Sequence, residues 1–394
     1  MKKKIFIVLG LGFGDEGKGL STDFLSLQNP NSLVIRFNGG QQAGHTVWKS
    51  NGEHHVFSNF GAGSLRNIPC YWSRFCTFSP ASFCKEWEAL GKINPHTRIY
   101  IDNMCPLSTH YDQLYNRVLE ENRGSQRHGS CGLGFGATIE RHENSPVKLF
   151  AQDLLFPEVF LQKLKTVRNY YEKKFSENGF DFFHTLPHQV EDERFLDFIQ
   201  KIHLLIKNKN VVFGKESAIL KNNSYENLIF EGAQGILLDM DFGVFPNVTR
   251  SNTTSKNALS LIKRNHLEGE IGIWYASRTY LTRHGAGFLP NENSPLLLNH
   301  TQHETNQYND FQGNFRKAPL HLPLLEYALN CDANFSEGIE KNLILTCADQ
   351  LPEQEICTIF TDKIEEISLK NLKKQMQTKF ENVFVSYNKC AEFL

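Results

Sequence analysis

A glycine-rich segment near the start of the chain, GLGFGDEGKG (10–19), has the residue types of a phosphate-binding loop. The G-x-x-x-x-G-K spacing, in which backbone N–H groups and a lysine bind phosphates, is met by Gly12, Gly17 and Lys18. The next position, which carries a magnesium-binding Ser or Thr in such loops, is Gly19, and Asp15 and Glu16 lie inside the loop. A carboxylate beside phosphates is repulsive unless it binds a metal ion or accepts a proton. The segment therefore predicts a phosphate site with acid–base chemistry of its own.

Two further segments place an imidazole and an amide beside glycines. NGGQQAGHTV (38–47) contains His45, and FEGAQGILLDMDFGVFPNVTRSNTT (230–254) contains Gln234. Both segments follow apolar runs typical of buried strands, so they are expected at the same sheet edge as the glycine loop. A loop histidine is often structural, but at this edge an imidazole could hold or donate a proton at a phosphorylated ligand. The pattern favours a catalytic His45.

The elements that must position these residues alternate along the chain. An apolar run (4–10) precedes the glycine loop, a helical pattern (16–27) follows it, and a second buried strand that ends in glycines (32–40) comes next, which together predict a βαβ unit. Further strands are predicted at 98–101, 210–213, 227–235, 269–277, 342–349 and 382–387. Helices are predicted at 81–91, 110–122, 156–176, 193–206, 252–265 and 319–330. We predict an α/β fold with a large, mainly parallel sheet and helices on both faces.

Length and composition favour one domain over 1–394, with a mostly helical insertion around 150–210. Lys plus Arg number 42 and Asp plus Glu 43, so the net charge of -1 creates no general attraction for nucleic acid or an anionic membrane. The nine cysteines form no C-x-x-C pair, and no apolar run reaches the roughly 18 residues of a membrane span. We expect a cytoplasmic protein with reduced thiols that acts on small molecules.

Taken together, the motifs identify a family. G-D-E-G-K-G, G-G-x-x-A-G-H-T, F-E-G-A-Q-G-x-L-L-D, P-x-V-T-x-S-N-T-T and T-R-x-G-A-G occur in this order, with SPASFCKEWEAL (79–90) and CPLSTHYD (105–112) between them. Over almost its whole length the sequence resembles adenylosuccinate synthetase. The resemblance implies a Mg²⁺-dependent, homodimeric ligase that joins aspartate to IMP through a 6-phosphoryl intermediate at the expense of GTP.

The same resemblance assigns roles to individual residues. The catalytic group would be Asp15, Lys18, His45 and Gln234. The nucleoside triphosphate would contact Gly12, Gly14, Glu16, Gly17, Gly19, Gly44, Thr46 and Asp349. The acceptor would contact Gln42, Ser130, Cys131, Thr249 and Arg250, and the amino acid Gln312, Asn314 and Arg316. The carboxylate of Asp15 and the carbonyl group of Gly44 would hold Mg²⁺, so a hydroxyl group at Gly19 is not needed.

Several positions depart from the family pattern at the acceptor phosphate. The family's Asn before A-G-H is Gln42, its T-T-G-R-G-I-G loop reads SCGLGFG (130–136), and its A-R-R, which sends an arginine into the neighbouring subunit's site, is replaced by NSPVK (144–148). Lys148 or Arg250 could substitute for that arginine, and Arg250, beside Thr249, is the better placed. We expect weak binding of IMP, or an acceptor whose phosphate is absent or differently placed, and a dimer that no longer shares this arginine.

Other departures affect the amino acid and the guanine base. In FQGNFRK (311–317) Arg316 remains while a second carboxylate-binding arginine is Asn314. The guanine motif T-K-L-D reads TCAD (346–349), which keeps Asp349 but puts Cys347 in place of lysine, and the family's S-T-G-P-D-R is reduced to SYNK (386–389). GTP is therefore expected, with ATP possible. Two alternatives stay open: a paralogue that joins an amine to a different or non-phosphorylated purine-like acceptor, and a non-catalytic nucleotide-binding protein.

Overall fold

The computed structural model describes residues 2–124, 129–181, 188–296, 298–299, 313–353 and 355–394. The strands are β1 (Lys3–Gly10), β2 (Ser32–Arg36), β3 (His45–Trp48), β4 (His54–Phe57), β5 (Cys70–Trp72), β6 (Ile99–Asp102), β7 (Val211–Gly214), β8 (Asn227–Glu231), β9 (Gly269–Arg278), β10 (Leu281–His284), β11 (Phe315–Ala318), β12 (Leu320–His321), β13 (Glu340–Thr346), β14 (Ile356–Phe360), β15 (Ile364–Ser368) and β16 (Asn382–Val385). The α-helices are α1 (Lys18–Gln28), α2 (Pro80–Leu90), α3 (His110–Arg123), α4 (Phe135–Asn144), α5 (Pro157–Glu177), α6 (His188–Lys207), α7 (Glu216–Leu220), α8 (Lys256–Arg264), α9 (Leu322–Ser336) and α10 (Leu369–Met376).

Nine of these strands form one sheet in the order β16-β13-β9-β1-β8-β2-β5-β6-β7, and each neighbouring pair is parallel. The pattern of β1 shows why both faces are covered. Ile5 and Ile7 pack into one apolar cluster with residues of α8, α9 and α10, whereas Val8 packs into another with Leu20 and Phe24 of α1. Alternate side chains of a strand point to opposite faces, so helices cover the sheet on both sides, as predicted.

A third apolar cluster lies at the β5–β6–β7 end of the sheet. It joins those strands to helices α2, α3, α5 and α6, and two of these helices fill the stretch 150–210 that the sequence predicts to be helical. Helix α5 buries Phe160, Leu164, Val167, Tyr171 and Phe175, which lie on one face at helical spacing. Among the described residues, no helix is both long enough and apolar enough to cross a membrane.

The fold places the predicted motifs at one edge. The segments after β1, β2 and β8 leave the carboxyl ends of strands that are direct neighbours, with Val8 paired to Glu231 and Arg36 paired to Glu231. The sequence did not predict α4, β3–β4 or the small sheets β10–β11 and β12–β14–β15. The helix predicted over 252–265 begins at Lys256, and the backbone N–H groups of Thr253 and Thr254 before it donate to Asp239.

Candidate active site

The glycine loop joins β1 to α1 in a conformation that only some residues adopt easily. Gly14 (φ 94°), Asp15 (φ 58°) and Gly17 (φ 93°) all have left-handed backbones. The turn is fixed from outside: Thr282 Oγ1 donates to the carbonyl group of Gly14 (3.2 Å), and Arg278 Nε donates to that of Asp15 (2.5 Å). Helix α1 has no side-chain cap at its N-terminus, which leaves its first N–H groups suited to an anion.

Glu16 lies inside this loop with Lys18. Its Oε1 accepts a hydrogen bond from the N–H group of Gly12, and its Oε2 lies 3.8 Å from Lys18 Nζ. Burial raises the pKa of Glu16 to about 7, and burial also lowers the pKa of Lys18. Burial therefore disfavours the charged form of both side chains. Glu16 holds Lys18 inside the loop, and from there the lysine can turn towards a phosphate.

His45 begins β3 and is paired with a buried carboxylate. Its Nδ1 lies 2.5 Å from Glu231 Oε1, and Glu231 Oε2 accepts from the N–H group of Ala62 (3.0 Å). Burial lowers the pKa of His45 to about 4, although Glu231 opposes this shift. An ionised Glu231 requires the proton of a neutral imidazole to lie on Nδ1, so Nε2 is the nitrogen that can act on a ligand.

Arg36 lies beside Glu231 and favours the ionised form of its carboxyl group. It stands opposite Glu231 in the β2–β8 pairing and is fully buried, with Nη1 donating to the carbonyl group of Phe60 (3.2 Å). Although burial opposes ionisation, the charge of Arg36 contributes most to keeping the pKa of Glu231 below its usual range. Glu231 is thus held as an anion behind His45.

The segment after β8 packs against the loop without space for side chains. A Cβ on Gly235 would lie 2.2 Å from the carbonyl oxygen of Gly12, and the preceding residue, Gln234, has φ 64°. This close approach brings Gln234 beside Asp15 in the wall of one cavity. Arg283 also lines this cavity. Its Nε, Nη1 and Nη2 donate to the carbonyl groups of Ala286, Phe288 and Asn247, respectively. Burial and nearby Arg316 lower the pKa of Arg283 to about 10.

The cavity has a volume of about 550 Å³, which suits a nucleotide-sized ligand. The predicted site residues that line it are Gly14, Asp15, Glu16, Gly17, Lys18, Gly19, Gln42, Gly44, His45, Thr46, Ser130, Cys131, Gln234, Thr249 and Arg250. Catalytic, phosphate-binding and acceptor-binding candidates from distant parts of the sequence therefore share one space. Gly12 packs behind the loop, and Lys148 is exposed and is not part of the lining.

The acceptor candidates occupy the end of the cavity formed by α3, the loop 129–136 and α4. Ser130 Oγ donates to Asn116 Oδ1 (2.9 Å), and burial raises the pKa of the free thiol of Cys131 to about 11. Both side-chain amide atoms of Gln42 are shielded from solvent without a hydrogen-bond partner among the described residues. A buried amide whose donor and acceptor are both unused is suited to hydrogen-bond a ligand.

Of the amino-acid candidates, the two that the structure describes, Asn314 and Arg316, are not part of the cavity lining. Arg316, in β11, donates to the carbonyl groups of Gly285 and Gly287 and pairs with Glu292 (2.7 Å). Asn314 is exposed, and Gln312 lies outside the described residues. The structure thus shows Arg316 tying β11 to the segment after β10.

The guanine candidate lies next to the glycine loop but outside the cavity lining. Asp349 is exposed in a short turn that follows β13. Thr346, the last residue of β13, donates its hydroxyl group to the carbonyl group of Glu16 (2.9 Å) and packs against Gly17. The end of β13 is therefore fixed to the backbone of the glycine loop.

The donor set fits a magnesium ion that is shared with phosphates. Mg²⁺ prefers oxygen ligands and usually takes only one or two from the protein. Asp15 and Gly44 supply a carboxylate and a backbone carbonyl in the wall of the same cavity. Within the described part of the chain, no cluster of three or more His, Cys, Asp or Glu could hold a metal ion by itself.

Several lining residues were not selected from the sequence. Arg278, Arg283 and His284 line the cavity beside Gln234, while Glu120 and Glu140 line its acceptor end. The T-R-x-G-A-G motif was the available signal for Arg283. The cavity thus combines a phosphate-binding loop, the carboxylate of Asp15 that could accept a proton, and a hydrogen-bonded imidazole, which are groups that suit phosphoryl transfer to an oxygen nucleophile.

Comparisons with known proteins agree with this arrangement. A family model described as "Adenylosuccinate synthetase" matches residues 7–393. Adenylosuccinate synthetase of Thermoplasma volcanium is 30% identical over 330 residues, 83% of this chain and 72% of that protein. The Coxiella burnetii enzyme is 33% identical over 295 residues, 73% of this chain, and the match spans 64% of its length.

Two solved structures share the fold. Fully ligated adenylosuccinate synthetase from Plasmodium falciparum superposes with a TM-score of 0.76 at 19% identity, covering 98% of each chain. The cyanophage S-2L succinoaminodeoxyadenylate synthetase PurZ, bound to dGMP and to dATP as an energy donor, gives a TM-score of 0.63 at 14% identity, covering 100% of this chain and 95% of that one.

Proposed function

Because the chain belongs to the adenylosuccinate synthetase family, whose homologues are ligases that form a C–N bond with the use of a nucleoside triphosphate, we propose that it joins aspartate to IMP at the expense of GTP. The observation that carries this proposal is the meeting of Asp15, Lys18, His45 and Gln234 around one cavity. These side chains come from three separate strand ends. A non-catalytic binding protein has no need of a carboxylate beside a phosphate loop, so that alternative is disfavoured.

In the proposed first step, Asp15 takes the proton from N1 of the purine, and the negative charge moves to O6. O6 then attacks the γ-phosphorus, so that an O6–P bond forms, the bond from the γ-phosphorus to the bridging oxygen breaks, and the nucleoside diphosphate leaves. Lys18, the loop N–H groups and the N-terminus of α1 stabilise the transferring charge. Asp15 and Gly44 would hold Mg²⁺, which neutralises phosphate charge when bound.

In the second step, the unprotonated amine attacks C6 to form a C6–N bond, the C6–O6 bond breaks, and inorganic phosphate leaves with O6 and the electron pair of that bond while the nitrogen releases one proton to solvent. This step is possible because phosphorylation has turned a poor leaving group into a good one. Gln234 is proposed to orient the purine oxygen, and His45 to interact with it through Nε2. An anionic substrate beside His45 favours its protonated form, so substrate binding is expected to raise the pKa of an imidazole that burial otherwise keeps near 4.

The test is purine-dependent release of phosphate from GTP with Mg²⁺, IMP and aspartate, with the ligated product identified by mass spectrometry. A reaction without aspartate should still form the 6-phosphoryl intermediate, which isotope exchange between the β,γ-bridge and non-bridge oxygens of GTP detects. Asp15→Asn is the matched control because it keeps the shape of the side chain. Phosphate release that does not depend on a purine, or that persists in Asp15→Asn, would contradict the proposal.

A second candidate is the same chemistry on a different purine acceptor. The amide of Gln42, which has no hydrogen-bond partner among the described residues, and the weakly donating thiol of Cys131 favour it, because both are altered contacts at the acceptor end. The cyanophage protein of the same fold is bound to dGMP, with dATP as an energy donor. A thermal-shift panel of IMP, GMP, inosine, GTP, ATP and aspartate, each with Mg²⁺, separates the candidates, since the tightest ligands raise the midpoint most.

A further inference from the structure

Asp15, the proposed base, has a left-handed backbone with φ 58° although it is not a glycine. A residue with a side chain adopts this conformation at a cost in free energy, which contacts from outside the turn must offset. The backbone also sets the direction of the side chain, because φ and ψ fix the Cα–Cβ bond relative to the two flanking peptide groups. The contacts that hold those peptide groups therefore decide where the carboxylate enters the cavity.

Each of the two peptide groups that flank Asp15 accepts a hydrogen bond from a side chain of a neighbouring strand. Thr282 of β10 donates to the carbonyl group of Gly14 (3.2 Å). Nε of Arg278, the last residue of β9, donates to the carbonyl group of Asp15 (2.5 Å). The first bond joins neutral groups, whereas the second has a cationic donor and is of the stronger kind. Arg278 is therefore expected to contribute more than Thr282 to the conformation of Asp15.

Arg278 is itself held in the cavity wall, where only 6% of the residue is exposed. Its Nη1 donates to the hydroxyl group of Tyr280 (2.7 Å), which in turn donates to Gln350 Oε1. Its guanidinium carbon lies 5.5 Å from the ring centroid of Tyr280 and 5.3 Å from that of Phe315. A planar guanidinium can serve two acceptors through Nε and Nη1 while it packs against aromatic rings, and a lysine ammonium group lacks this geometry.

We propose that Arg278 is a positioning residue for the phosphoryl-transfer step: it holds the backbone of Asp15 so that the carboxylate faces the acceptor, and Tyr280 holds Arg278. This inference rests on the proposed function and adds to it a residue outside the motifs that identify the family. Arg278 exchanges no proton and forms no covalent bond in the step. Its loss should therefore slow the chemistry without weakening the binding of the triphosphate, which is proposed to contact Lys18 and the N–H groups of the loop.

The experiment compares Arg278→Met, Arg278→Lys and the wild type by two measurements: kcat for purine-dependent phosphate release, and the Kd of GTP from calorimetry. Methionine can still pack against the two rings but donates no hydrogen bond. Because a hydrogen bond from a charged group is lost, kcat should fall about 10- to 150-fold in Arg278→Met, while the Kd of GTP changes less than about threefold. Arg278→Lys should have an intermediate kcat, because it restores the charge but not the two directed donors.

Tyr280→Phe tests the same inference with a smaller change. It keeps the ring and removes only the hydroxyl group that accepts from Arg278 Nη1. We expect kcat to fall about 2- to 10-fold at an unchanged Kd of GTP, because Arg278 keeps its bond to Asp15 but loses one of the contacts that orient it. A kcat equal to that of the wild type in a folded Tyr280→Phe would show that Tyr280 does not hold Arg278.

Arg66→Met is the matched control. Arg66 is also an arginine of low exposure (14%), and its Nε and Nη2 donate to Asp23 of α1, the helix that follows the same loop. Arg66 does not line the cavity. Its replacement should lower Tm and leave kcat within about threefold of the wild type. A fall in kcat as large as that of Arg278→Met would indicate a general loss of packing and would overturn the inference.

A double-mutant cycle tests whether Arg278 acts through Asp15. In an Asp15→Asn background the carboxylate is absent, so Arg278→Met should lower the residual rate less than about threefold. Equal factors in both backgrounds, an unchanged kcat in Arg278→Met, or a Kd of GTP that rises as much as kcat falls would overturn the inference. The proposed function fails by a different result, which is no purine-dependent phosphate release from the wild type.

Discussion

Replacing Glu231 by glutamine tests whether the charge of Glu231, rather than its shape, is required for the proposed catalytic role of His45. The amide keeps the size of the carboxylate and can still satisfy both neighbours: Oε1 can accept from Ala62, and Nε2 can donate to His45 Nδ1. This reorientation moves the imidazole proton to Nε2 and removes the anion that stabilises an imidazolium. The side chain is fully buried and 2.5 Å from the imidazole, so solvent cannot replace the lost charge.

The size of the effect follows from that hydrogen bond. A hydrogen bond to a charged group contributes about 1.5–3 kcal/mol, and each 1.36 kcal/mol changes a rate about tenfold. We therefore expect kcat for phosphate release to fall about 10- to 150-fold in Glu231→Gln, with little change in KM for the triphosphate. If protonated His45 acts in the complex, the high-pH limb of kcat should move to lower pH, because the pKa of His45 falls when its anion is removed.

The assay is steady-state phosphate release between pH 6 and 9, at a temperature where thermal unfolding shows each variant to be folded. Glu86→Gln is a matched control: Glu86 is also a buried carboxylate beside a histidine, 3.5 Å from His55 Nε2, and neither residue lines the cavity. It should lose stability but keep its turnover. Turnover of Glu231→Gln within threefold of the wild type at pH 7, or an unmoved high-pH limb, would refute the reasoning.

The remaining predictions concern the loop, the base and the assembly. Asp15→Asn and His45→Ala should each lower phosphoryl transfer about 10²- to 10⁴-fold while circular dichroism remains native; near wild-type turnover in either would contradict the mechanism. Asp349→Ala should remove a preference for GTP over ATP, measured as the ratio of kcat/KM values, and equal use of both by the wild type would show the assignment to be wrong. Burial raises the pKa of Glu16 from its usual 4.5 to about 7, so the contribution of its protonated form to stability is present below pH 4.5 and is lost as the pH rises through 7. From pH 5 to 8 the Tm of Glu16→Gln should therefore fall less than that of the wild type. Parallel curves of Tm against pH would refute this. Light scattering at micromolar concentration should give a homodimer, and a monomer would oppose it.

The sequence predicted the parts of the fold that depend on local pattern. The strand predicted at 4–10 and the glycine loop after it appear where expected, and the strand predicted at 227–235 forms over Asn227–Glu231, because buried parallel strands and glycine turns have strong local signatures. Helix α4 escaped prediction because it begins in a glycine-rich segment, which ordinarily marks a loop. The short strands of the three small sheets were also missed, since two to five residues carry little periodicity.

The site was predictable as a set of motifs but not as a set of partners. His45 was identified from its position beside glycines, yet its carboxylate, Glu231, depends on the register between β2 and β8, which no local pattern shows. Similarly, Arg316 resembled a ligand-binding arginine in sequence, whereas its guanidinium spans carbonyl groups that become neighbours only when β10 and β11 pair. Contacts between residues far apart in the chain are decided by tertiary packing.

The hydroxyl group of Thr346 joins the end of β13 to the backbone of the glycine loop. Asp349, which would bind the nucleotide base, is three residues from Thr346, which holds the loop that would bind the phosphates. A displacement of the turn is therefore expected to displace the loop. Substitutions that re-engineer base preference around Asp349 should change the reaction rate as well, because they displace the backbone of Glu16 and Gly17. A variant selected for a new energy donor would consequently need compensating changes in the loop before it regained its original speed.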